Sequence, residues 1–305
     1  MSGMAVPGPS RADEIKRAIG RILLYIGLFI AFTLIAGLAI PGANAETRWG
    51  IVGGSVVTAV AAFAAGALPI KRYDHRPVGA LGLAWTRTTV RDIAIGFAIG
   101  ACAIAVAALL MVATHSLSYA PEPGTTATWA REAGSGLVVL TPAAAAEELL
   151  FRGYAFQWLV RAAGSLIGTV LGSAAFAAAH LSNPDPSALA LINLFLAGVL
   201  LSVAYLKTRS LWFATAVHLG WNWMMAIPLD LPVSGFELFN VPLYEPVIAG
   251  PSLLTGGAFG PEGGIAATLG AVLALLALWK LPRSVESSEL RALRPLIDRD
   301  ETERQ

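Results

Sequence analysis

The sequence predicts an all-α, polytopic transmembrane helical bundle of about eight spans, with both termini cytoplasmic. Three observations predict it. The chain is 56% hydrophobic and only 13% charged, with a mean hydropathy of +0.66, whereas soluble domains lie near 45–50% apolar and about 25% charged. The apolar excess comes in blocks, and stretches of about 17–25 apolar residues are of transmembrane length. The basic residues alternate in density from one inter-block segment to the next, as the positive-inside rule requires.

The blocks fall at residues 22–40, 49–70, 93–113, 136–159, 166–181, 187–206, 211–227 and 264–279. Of the 21 Lys and Arg, the outside segments hold Arg48 and Arg131, and Arg152 lies within the fourth block. All the others fall on the inside if the N-terminus is cytoplasmic, and segment 228–263 has no Lys or Arg. Ala43-Asn44-Ala45 resembles a signal-peptidase site, but the block before it is longer than the ~7–15 residues of a signal core and reads as a span. The organisation is then a cytoplasmic N-terminal segment 1–21, a transmembrane domain 22–280 and a cytoplasmic tail 281–305. In the tail, Glu286, Glu289, Arg291, Arg294, Asp298 and Arg299 alternate in sign and read as a solvated helix or a disordered segment. The Gly- and Pro-rich stretch 228–263 reads as a packed or surface loop able to fold back on the helices.

Composition also excludes. A net charge of +1 gives no basic face for nucleic acid. Cys102, the single cysteine, has no intrachain disulfide partner and reads as a small core residue. His75 and His115 fall in loops and read as solvated. The halves show no duplicated span pattern of the kind common in transporters.

The informative residues are the polar ones inside spans, each of which costs several kcal/mol in hydrocarbon unless compensated. Glu147, Glu148 and Arg152 lie in the fourth span, His180 ends the fifth, Asn193 lies in the sixth, and His218 and Asn222 lie in the seventh. Glu148 and Arg152 are i,i+4 and can pair on one helix face. Glu147 is turned about 100° away and is left without that partner. Counted from the turns near Arg161–Gly164 and 207–210, Glu147 and His180 rise roughly 20–25 Å, Asn222 about 18 Å and His218 about 12 Å. The four groups therefore share a band near mid-membrane, reached from the cytoplasmic side. Glu147 with His180 can hold and deprotonate a water, and His218 with Asn222 can donate to an oxyanion. Glu147, His180 and His218 could instead ligate zinc. Spacing does not choose between these. Asn193 reads as interhelical glue.

The motifs carry a resemblance. "EELLFRG" at 147–153 resembles the EExxxR motif of the CPBP intramembrane proteases, the family of CAAX prenyl endopeptidases and bacteriocin-processing or immunity (Abi) proteins. "FAAAH" at 176–180 resembles its FxxxH motif and "HLGWN" at 218–222 its HxxxN motif, in the right order and in separate spans. With flanks, the resemblance covers residues 91–279. It implies an intramembrane endopeptidase in which Glu147 and His180 activate water and His218 and Asn222 stabilise the oxyanion. Glu148, Arg152 and Phe176 support them. No cofactor is expected, with zinc on Glu147, His180 and His218 as the alternative. The expected partners are the bilayer and a membrane-associated peptide or protein, in a bacterial plasma membrane. A non-catalytic scaffold or immunity protein binding a peptide in the same pocket is the alternative function.

Overall fold

The computed structural model describes residues 10–39, 47–281 and 287–298. Its elements are α1 (Arg11–Ala39), α2 (Arg48–Arg72), α3 (Thr89–Ala113), β1 (Leu117–Pro121), α4 (Thr126–Arg152), α5 (Tyr154–Ala163) and α6 (Ser165–Ala179), followed by α7 (Ala188–Thr208), α8 (Leu211–Ala226), β2 (Tyr244–Ile248), α9 (Ser252–Thr255), α10 (Ile265–Lys280) and α11 (Ser288–Ala292). Helix α1, helix α2, helix α3, the joined pair α4–α5 and helix α7 are long and apolar enough to cross a membrane, while α6 and α10 are shorter apolar helices. The starts of α2, α4, α7 and α8 are capped by local polar side chains. Thr47 accepts from Gly50 N–H, Ser187 from Ala190 N–H and Ser210 from Phe213 N–H, satisfying donors that a helix N-terminus leaves open. Thr125 and Thr128 form a reciprocal capping box on α4.

Hydrogen bonds gather the connections at two ends. At the tail end, Gln157 binds the carbonyl of Ala80, Leu211 N–H binds Gly82, Trp212 binds Leu83 and Lys207 binds Trp279. At the loop end, Arg48 reaches Leu238 and Glu132, and Tyr119 reaches Leu229. The chain alternates between these ends through α1, α2, α3, α4–α5, α6, α7, α8 and α10. The described residues thus start and finish at the tail end.

Helix α8, placed at the centre, is fixed by backbone contact. A Cβ on Gly100 of α3 would lie 1.9 Å from the carbonyl oxygen of Val217, and one on Gly220 of α8 would lie 2.1 Å from that of Phe97. Only glycine permits this approach, and close backbone packing is a main source of helix association in lipid.

Several expectations are corrected. The fourth pass is not one helix: it breaks at Gly153, where a Cβ would meet the Leu149 carbonyl oxygen at 2.2 Å, and resumes as α5. The chain is not wholly helical, because β1 and β2 pair antiparallel with Leu117 opposite Ile248 and Pro121 opposite Tyr244. Two strands alone are marginal. These are anchored by the Tyr119 and Tyr244 hydroxyls, which donate to the carbonyls of Leu229 and Pro228. Cys102 is exposed rather than buried, since in a membrane-type helix an apolar face can meet lipid as well as protein. His75 and His115 are exposed, as expected.

The described part of the tail, residues 287–298, is docked on the helices. Leu290 and Leu296 are each 2% exposed, Leu296 N–H donates to Gln157, Arg161 and Arg76 bind tail carbonyls, and Arg209 pairs with Asp298 at 2.9 Å. The N-terminal segment likewise enters α1 at Arg11, where Glu14 pairs with Arg161 at 3.2 Å. The residues Ala43 to Ala45, Glu286 and Arg299 lie outside the described residues.

Candidate active site

The fourth pass brings two neighbouring carboxylates to different surroundings. Glu148 and Arg152 are fully buried, with Arg152 Nη1 donating to Glu148 Oε1 at 3.0 Å. Arg152 Nη2 donates to the carbonyl of Gly198 on α7 at 3.1 Å, and its guanidinium lies 4.6 Å from the centre of the Phe176 ring. The expected i,i+4 pair is present and ties α4, α6 and α7 together. Glu148 Oε1 also accepts from His218 Nδ1 at 3.0 Å, so the pair reaches α8 as well.

Glu147, by contrast, is one-third exposed and lines a cavity of about 460 Å³. Its Oε2 lies 3.8 Å from His180 Nε2 and 3.9 Å from His218 Nε2, and it makes no hydrogen bond among the described residues. These separations are too long for direct hydrogen bonds and leave the two imidazoles and the carboxylate converging on one point. His180 Nδ1 lies 2.8 Å from the Phe176 carbonyl. A carbonyl only accepts, so Nδ1 is assigned a proton, and Nε2 faces Glu147. Phe176 is buried beneath the group, its ring centre 4.7 Å from that of His180 and 6.1 Å from that of His218. Asn222, one turn beyond His218 on α8, lines the same cavity. All four residues singled out as reactive thus face one cavity. Of the three supporting residues, Phe176 lines that cavity, while Arg152 binds Glu148 and Glu148 binds His218.

Segment 228–263 folds back over this cavity and contributes Val233, Ser234, Phe236, Leu238 and Glu262 to its lining. Glu262 is 7% exposed. Its Oε1 accepts from the Trp221 indole at 3.0 Å, and its Oε2 from Ser234 N–H at 2.8 Å and Ser234 Oγ at 2.7 Å. Asn193 donates to the carbonyls of Glu262 and Gly264 at 2.8 and 2.9 Å and accepts from Thr268 at 2.7 Å, which is the glue expected of it. Asn183, just past His180, donates to the Ser234 carbonyl at 2.9 Å. Sequence reasoning missed Glu262, Ser234 and Asn183. The available signal was that Glu262 is the only charged residue in "LTGGAFGPEGG".

Among the described residues, no group of three His, Cys, Asp or Glu has the geometry to hold a metal ion.

The fold and cavity define a helical, membrane-type protein with a carboxylate and two imidazoles at the wall of one largely apolar cavity. Residues 128–224 match the family model described as Type II CAAX prenyl endopeptidase Rce1-like. The match covers about a third of the chain and contains all three motifs, so the resemblance read from the motifs holds. No curated protein and no solved structure matches the chain.

Proposed function

We propose that the protein is an intramembrane endopeptidase that hydrolyses a peptide bond of a membrane-associated protein or peptide. The observation that carries this is the convergence of Glu147 Oε2 with the Nε2 atoms of His180 and His218 at the wall of the cavity. In the proposed mechanism a water is held between Glu147 and His180, and one of them takes its proton as the oxygen attacks the carbonyl carbon. The tetrahedral oxyanion is then held by donors from His218 Nε2 and the Asn222 amide; as it collapses, the C–N bond breaks and the proton taken from water passes to the leaving nitrogen, giving a carboxylate and a free amine. A donor role for His218 uses its imidazolium form, because Nδ1 is committed to Glu148. Glu148, Arg152 and Phe176 position His218 and His180. The step runs without metal, so activity should persist after dialysis against a zinc chelator.

The reading puts the tail end in the cytoplasm, since the Lys- and Arg-rich turns lie there, and the protein in a bacterial plasma membrane with the site open to the cytoplasmic side. All eight passes then cross the bilayer. The test compares protein termini across the membrane proteome of cells making the wild type or Glu147→Gln at matched levels. New termini confined to the wild type are expected. Identical termini, with both proteins inserted, would overturn the reading in favour of a peptide-binding scaffold or immunity protein.

A further inference from the structure

The cavity carries a second acidic group that the proposed chemistry does not use. Glu262 comes from the loop between α9 and α10, far in sequence from the three motifs, yet it lines the same cavity as Glu147. Its neighbours supply hydrogen bonds but no positive charge. Trp221 Nε1, Ser234 N–H and Ser234 Oγ are its donors, and among the described residues no Lys or Arg pairs with it. The cavity lining contains Glu147 and Glu262 and no Lys or Arg. Arg152 is held by Glu148 and Gly198, and His218 donates to Glu148.

A carboxylate has about four lone-pair sites. Here Oε2 takes two donors and Oε1 takes one, which leaves Oε1 able to accept another. An uncompensated charge in an apolar, low-dielectric site is costly. A ligand bearing a positive donor removes that cost and gains a charge-assisted hydrogen bond. The remaining lining is dominated by Leu, Ala, Val and Phe side chains, which suits an apolar body attached to that donor.

We infer that Glu262 forms a subsite for a basic side chain, the ammonium of Lys or the guanidinium of Arg, carried on an otherwise apolar substrate segment. The inference rests on the peptidase reading for the word substrate, but not for the binding itself. Trp221 and Ser234 orient the carboxylate, and Asn193 fixes the loop that delivers it.

The test uses the full chain in lipid nanodiscs, with decylammonium as the cationic probe and decanol and decanoate as its neutral and anionic counterparts. Saturable stabilisation against thermal unfolding is the readout. Decylammonium is expected to bind about tenfold tighter than decanol, the scale of one hydrogen bond to a charged group, and decanoate more weakly than either. In Glu262→Gln, which keeps an acceptor for Trp221, the ammonium preference should vanish. Equal binding of ammonium and alcohol by the unaltered protein would overturn the subsite, as would a preference that survives in Glu262→Gln. Should that variant fail to fold, the three probes are compared on Glu147→Gln, where a surviving ammonium preference supports the Glu262 subsite and its loss overturns it. Binding needs no catalysis, so a failure of the peptidase reading leaves this result standing. Conversely, if wild-type cleavage sites are found and show no enrichment of Lys or Arg nearby, the substrate assignment falls even though the peptidase reading holds.

Discussion

Glu147 and Glu148 are neighbours in the chain and opposites in setting. Glu148 is enclosed, with Arg152 and His218 both on one oxygen, and three other helices depend on that cluster. Glu147 faces the cavity; Oε2 lacks a hydrogen-bond partner among the described residues in both glutamates, but only Glu148 has Arg152 and His218 on its other oxygen. One helical step of about 100° separates a structural carboxylate from one positioned for chemistry. The comparison teaches that adjacent carboxylates on one helix can be given different settings, and the proposed function assigns the chemistry to the one that faces the cavity.

The largest effect should come from the cavity side. Glu147→Gln is expected to lower cleavage about a hundred- to ten-thousandfold, the range of general acid–base catalysis, while the melting temperature stays near that of the wild type. A matching loss of stability would break the contrast, because it would make Glu147 structural too. Next comes the enclosed side. Arg152→Met strands Glu148 and should cost about 3–5 kcal/mol of stability, as removal of one partner of a buried pair does. Denaturant titration in mixed micelles measures it, and a cost below about 1 kcal/mol would show that the pair is dispensable.

A smaller effect belongs to the loop over the cavity. Asn193→Leu removes two donors and one acceptor between α7, α10 and the Glu262 loop, and should cost about 1–3 kcal/mol. Hydrogen exchange should rise in 228–263 before it rises in α3 or α8, and uniform exchange would argue against the fastening. The smallest effect comes from a third kind of carboxylate, Asp230, in the same loop. Burial, opposed by the Val241 N–H and reinforced by Glu245, Glu122 and Glu237, raises the Asp230 pKa from 3.8 to about 6. The folded state therefore binds its proton more tightly than the unfolded chain does. Its contribution to stability is full below pH 3.8 and is lost as pH rises through about 6. Asp230→Asn should flatten that slope in a pH series of melting temperatures.

Much of this was legible in the sequence because membrane spans announce themselves by length and because polar residues inside them are few. The helix-rise arithmetic put Glu147, His180, His218 and Asn222 at one level, and they line one cavity. Helix continuity was not legible, because a glycine break such as Gly153 leaves the hydropathy profile unchanged. Glu262 was missed because an acid in a Gly- and Pro-rich loop reads as solvated, and the loop's fold-back depends on the distant Asn193, Trp221 and Ser234. The docking of the tail was obscured by its charges, although Leu290, Leu293 and Leu296 recur every third residue. Cys102 shows the converse error, since hydropathy cannot tell a lipid-facing side from a core-facing one.

The glycine contact between α3 and α8 has a mechanical consequence. Because Gly100 and Gly220 bring main chain against main chain, α8 cannot slide or tilt unless α3 moves with it as a single strut. Changes in bilayer thickness that tilt the outer helices α1 and α2 would then leave the position of His218 and Asn222 relative to α3 constant as the surrounding lipid varies.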